Sequence, residues 1–250
     1  MKRILVFIFI TVVFAAGLMS GCKDGVPQTE LEMFIARTAE YEGQALTDTL
    51  RGIALGEAPF NSYANFLLGN QFYDSASDSA QVNGWNNPGA LSMLDSAEVY
   101  FSLAVAQDSS FIEPIVNLGS IWDDRSDSVG NRQQFDERVA EANRFYTMAL
   151  AIDPTDEKAR CNLGSLYLRQ RRTADAMAEF KKVLENNPKS SLAHYNIAIM
   201  FAESKIYREA LKEWELASKY DPDGDIGDRS RANIKIVHDL MNAPTPPLGH

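Results

Sequence analysis

Metal and nucleophilic chemistry have little raw material in this 250-residue chain, which holds two cysteines and three histidines. His194, His238 and His250 lie at no metal-ligand spacing from another candidate ligand, which argues against a zinc or haem centre. No Cys-x-x-Cys-His, P-loop or Gly-x-Ser-x-Gly elbow occurs. The run that begins Asp221-Pro-Asp-Gly-Asp has acids at the first, third and fifth places of a calcium loop. It puts Ile226 where that loop needs glycine and Ala232 where it needs a bidentate glutamate, so it reads as a turn. Acid pairs such as Asp123-Asp124 read as solvated charges. The expectation is a chain with no catalytic residues, no metal and no cofactor. Basic residues are also in short supply, 24 against 34 acids. The deficit is local: residues 23–156 carry 7 basic and 21 acidic side chains, whereas 157–224 carry 12 and 10. Such a balance repels nucleic acid and favours cationic partners, with an association rate that falls with salt.

Long apolar runs are absent except at the start, where Lys2 and Arg3 precede residues 4–18. About 20 residues are needed to span a bilayer, so the segment reads as an export signal. Met19-Ser20-Gly21 directly before Cys22 resembles the lipobox of bacterial lipoproteins. The resemblance implies cleavage before Cys22, acylation of its thiol, and a permanent membrane anchor. Cleavage without lipidation is the alternative. Residues 1–21 are then a signal peptide and 22–28 a tether of roughly 20 Å. Lys23 after the cysteine resembles the enterobacterial signal for the periplasmic face of the outer membrane. Cys161 would remain as a lone thiol, so no internal disulfide is expected.

What fills the rest is periodic. Pro154, Pro188 and Pro222 fall thirty-four residues apart, preceded on the same beat by Leu163-Gly164, Tyr167, Ala176 and Phe180, then Ile197-Ala198, Phe201, Ala210 and Trp214. Gly164 and Ala198 allow close helix approach, Ala176 and Ala210 are the small residues they meet, and Phe180 and Trp214 fill the remaining wedge. This pattern resembles the tetratricopeptide repeat (TPR), a helix-turn-helix unit. Arg160 and His194 stand where the repeat has tryptophan, a departure compatible with the fold. Upstream, Leu118-Gly119 with Trp122 and Leu68-Gly69 with Phe72 begin two more units if insertions are allowed. The resemblance implies an all-α TPR solenoid of about four repeats over 61–224, with units near 62–109, 112–155, 157–190 and 191–224. Residues 29–60 read as one helix or a helical pair, 225–241 as a capping helix, and the proline-rich 242–250 as a disordered tail.

The family places a binding groove on the first helix of each unit. Its offsets select Tyr63, Phe66, Asn70 and Tyr73, then Val116 and Ser120, then Cys161, Ser165 and Leu168, then Tyr195 and Ile199. The set is mostly apolar and aromatic and lacks the cations of carboxylate-clamp TPRs. It therefore suits an amphipathic helix or an extended apolar peptide, unless the chain's own amino-terminal helix or tail fills it. The insertions at 74–90 and 123–134 read as loops on one rim, with Trp85 either contacting a partner or folding back on the first repeat. TPR lipoproteins include pilotin-type escorts and adaptors for peptidoglycan hydrolases. The function implied is a non-catalytic, lipid-anchored scaffold that binds envelope-complex subunits or their peptide segments. The alternative is a cargo- or glycan-binding component of an outer-membrane uptake complex, with Tyr63, Phe66 and Tyr73 stacking on sugar.

Overall fold

The computed structural model describes residues 29–56, 60–128 and 130–242. The described residues form eleven helices and no strand, in two compact units that divide in sequence after Asn131. The expectations for the signal peptide, Cys22 and its tether, and residues 243–250 of the tail fall outside the described residues, whereas Asn242, placed in the tail from sequence, ends the last helix.

In the first unit, α1 (Glu30–Thr38) opens with a capping box: the Thr29 hydroxyl accepts the Glu32 amide at 3.1 Å and Glu32 accepts the Thr29 amide at 3.0 Å. Gly43, at φ +53°, turns the chain into α2 (Gly43–Ala54), so residues 29–60 hold a pair of helices. A long hairpin follows, α3 (Phe60–Asn83) and α4 (Pro88–Gln107), and then α5 (Ile112–Ser126). The insertion expected as a loop at 74–90 is instead helix. The run from Asp74 to Val82 contains no glycine or proline, so nothing stops α3 before Asn83-Gly84. Asn87 then caps α4, with Pro88 in its first turn. The extra residues therefore lengthen both helices, leaving 84–87 as the turn. In the second insertion, residues 123–126 belong to α5 and residues 132–134 are helical as well.

The second unit runs through α6 (Arg132–Ile152), α7 (Glu157–Arg169), α8 (Thr173–Asn186), α9 (Ser191–Glu203), α10 (Tyr207–Tyr220) and α11 (Asp225–Asn242). Each repeat proline lies in the turn after a second helix, where it stops continuation. Asp156 and Ser190 cap the next helices, accepting the amides of Ala159 at 2.6 Å and Ala193 at 2.9 Å. The Asp153 carboxyl is held below its usual range by hydrogen bonds from the Thr155 hydroxyl and amide.

Small-against-large packing closes the hairpins. A Cβ placed on Gly164 would overlap the Phe180 ring, and one on Gly69 the Phe101 ring. The ring over Gly164 thus belongs to the residue expected to fill the wedge. The two departures from tryptophan are polar clips. Arg160 donates to Glu179 at 2.7 Å and to the Pro154 carbonyl at 2.8 Å. One repeat on, His194 Nδ1 lies 2.7 Å from Glu213 and Nε2 3.3 Å from the Pro188 carbonyl. Glu157 ties successive repeats by accepting from Ser190 at 2.6 Å and Asn187 at 3.0 Å. The calcium-loop look-alike is a cap, since the Asp221 carboxylate accepts the Gly227 amide at 3.1 Å, in the first turn of α11. Among the described residues no group of acids, histidines or cysteines is arranged to hold a metal.

Candidate binding faces of the two units

In the first unit the candidate groove residues of α3 are engaged by the chain itself. Tyr63 packs between Phe34 of α1 and Phe111, with ring centroids 5.5 Å away in both cases. Burial, and then the charges of Glu30, Asp108 and Glu113, raise its hydroxyl pKa above the usual tyrosine value. Phe66 meets Phe111 at 5.0 Å and Phe101 at 6.1 Å. Asn70 accepts from Asn117 at 2.9 Å, and the Tyr73 hydroxyl donates to Asp124 at 2.6 Å. Val116 is buried, and the Ser120 hydroxyl donates to the Val116 carbonyl at 3.3 Å. The amino-terminal helix thus covers the start of this face, as one of the two readings from sequence allowed. Trp85 sits half-buried in the 84–87 turn. That turn is closed by Asn87, which donates to the Gly84 carbonyl at 2.8 Å.

Below that turn, Arg125 fastens α5 to α4. Its guanidinium, 10% exposed, donates to Asp95 at 2.5 Å and Glu98 at 2.6 Å and lies 4.9 Å from the Trp122 ring centroid. Sequence offsets give no sign of this clamp, because its acids lie 27 and 30 residues away on another helix.

In the second unit the candidates divide between core and surface. Cys161 is fully buried beside Phe180, Val183, Ala193, Ile197 and Met200, so it cannot line an open groove. A residue at a groove offset turns inward here because the thiol is small and apolar enough to pack. Burial, and then the Glu157 charge, push its thiol far above the ordinary value. Ser165 donates to Asn196 at 3.3 Å, and Leu168 stands partly buried against the same cluster. Tyr195 and Ile199 pack around Ala198, Ala210, Trp214 and Val237 of α11. The Tyr195 hydroxyl accepts from Asn233 at 3.4 Å. The half-buried Leu168, Tyr195 and Ile199 form the apolar part of the face that solvent still reaches.

Two features escaped the sequence reading. Arg171 and Lys205, thirty-four residues apart in the turns between paired helices, have φ of +63° and +59°. Ile206 and Met241 are 47% and 46% exposed and line a concavity of about 370 Å³ with Lys205, Tyr207, Arg208 and Glu209. Aligning the two repeats would have paired Arg171 with Lys205. Their backbone conformation carries no sequence signal.

This architecture has known relatives. Residues 136–198, from α6 to α9, match the tetratricopeptide repeat family. The crystal structure of a thermophilic TPR protein from Thermus thermophilus superposes with a TM-score of 0.54 at 15% identity, covering 71% of this chain and 98% of that one. The crystal structure of MamA gives a TM-score of 0.49 at 14% identity, over 79% of this chain and 97% of that one. No curated protein matches the chain. The fold is the all-α TPR fold, a solenoid of stacked helical hairpins. Within it, residues 136–198 are the part that matches the repeat family itself.

Proposed function

We propose that this chain is a non-catalytic adaptor, lipid-anchored through Cys22 in a bacterial envelope, which positions other proteins by holding their peptide segments. The observation that carries the reading is the recurrence of one hairpin geometry from α7 to α10, with Leu168, Tyr195 and Ile199 half-buried along first helices. Apolar side chains left half-solvated on a rigid frame give contact area at little ordering cost, the property needed to hold a peptide. The signal-like residues 4–18, followed by Ser20-Gly21-Cys22, support export and acylation. Lys23 supports the periplasmic face of the outer membrane. In the stacked-sugar alternative Tyr63, Phe66 and Tyr73 would bind glycan, but Tyr63 and Phe66 pack in tilted contact with the chain's own rings and Tyr73 is hydrogen-bonded. No observation favours that alternative.

Crosslinking in intact membranes with the Cys22 anchor retained tests the proposal. A reproducible partner set, depleted when Tyr195 and Leu168 are both changed to Ser, is the expected result. Absence of any reproducible partner, or a saturable tryptophan-fluorescence response to glycans, counts against it.

A further inference from the structure

Two successive turns of the second unit keep a long cationic side chain where glycine is the unstrained choice. Arg171 and Lys205 follow the ends of α7 and α9 in the left-handed region, where an L-residue crowds its Cβ against the following carbonyl and glycine does not. Neither makes an ion pair among the described residues, and nor does the exposed Arg208 beside Lys205. Arg172 differs, since Asp175 holds it at 2.7 Å. Glu209, the one acid among the described residues that line the concavity, is already engaged by Lys212 at 3.0 Å. Beside Lys205 and Arg208 lies the concavity whose apolar lining includes exposed Ile206 and Met241.

We propose that this edge of the second unit docks an acidic peptide segment bearing one large apolar side chain. The apolar group enters the concavity against Ile206 and Met241, the carboxylates meet Lys205 and Arg208, and Arg171 extends the cationic edge into the neighbouring repeat. Charge complementarity sets the partner's sign. A concavity receives a projecting side chain, whereas a bilayer takes up protruding ones. The inference adds a second surface to the adaptor reading. Ile199 reports on the groove and Ile206 on the edge, so failure of one is distinguishable from failure of the other.

The full chain, methyl-labelled at isoleucine and methionine, is titrated with a synthetic amphipathic peptide of glutamate and leucine and with its lysine-for-glutamate twin. The acidic peptide is expected to shift the Ile206 and Met241 methyls saturably, and the basic twin to leave them unmoved. Lys205→Gly combined with Arg208→Gln is expected to weaken binding at least fivefold without lowering Tm. Arg171→Gln alone is expected to weaken it about twofold. Equal response to both peptides, unchanged affinity in the variants, or shifts confined to Ile199 would overturn the proposal. So would co-sedimentation with phosphatidylglycerol vesicles in the absence of peptide binding, or self-association that moves the same methyls without peptide.

Discussion

Gly164 has no room for a side chain, because the Phe180 ring occupies the place of its Cβ. Gly164→Ala must therefore shift a fully buried ring, and a loss of about 1–3 kcal/mol is expected from chemical denaturation. A loss under half a kilocalorie would mean that the hairpin opens easily there. Lys205→Gly should act in the opposite direction, raising stability by about 1 kcal/mol through relief of a left-handed lysine. An unchanged or lower Tm would show that the lysine side chain makes a stabilising contact of its own. Cys161 is buried, with a thiol far from its reactive thiolate form. Its labelling by a thiol reagent should proceed only as fast as the chain unfolds, and rapid labelling of the native protein would contradict its placement in the core. The close approach at Gly164 was legible because small and large residues recur at fixed offsets, whereas the fold decides that the Phe180 ring, and not Ala176, lies over it. The strain at Arg171 and Lys205 was not, since φ is set by the turn and arginine and lysine are compatible with many conformations.

At the scale of elements, the wedge position of the last hairpin separates volume from polarity. Trp214 is 2% exposed, and its indole N–H has no hydrogen-bond partner among the described residues. Trp214→Phe removes that unsatisfied donor and restores the residue found at Phe180, so it should cost no more than about 1 kcal/mol. Trp214→Ala should cost about 3–5 kcal/mol. Equal losses would show that ring volume is not what holds α10 in place. In the first unit, Arg125→Ala leaves Glu98 without its cation and unfastens α5 from α4. Because Asp95 is 72% exposed and remains solvated, the expected loss is about 2–3 kcal/mol, below the upper range for a fully buried pair. The helical repeats themselves were legible because glycine, alanine and aromatic spacing dictates close pairing. The lengths of α3 and α4 are not legible in the sequence, because a run of serine, alanine and aspartate lowers hydrophobicity without breaking a helix.

At the scale of the whole molecule, the acid excess lies in residues 23–156, whereas the exposed cations at Arg171, Lys205 and Arg208 lie on the second unit. Under the proposed anchoring, Cys22→Ser should move the chain from the membrane pellet to the soluble periplasmic fraction and abolish labelling by radioactive palmitate. Persistence in the pellet without label would replace the lipid anchor with another attachment. Composition, charge asymmetry and the thirty-four-residue period are fixed by residue order alone, because each depends only on residue identity and distance along one chain. Which groove positions are covered by Phe34 and α11, whether Cys161 faces inward, and where Ile206 meets Met241 are decided only when helices far apart in sequence come together. Burial and contact belong to pairs of surfaces, and no single segment encodes the surface that will cover it.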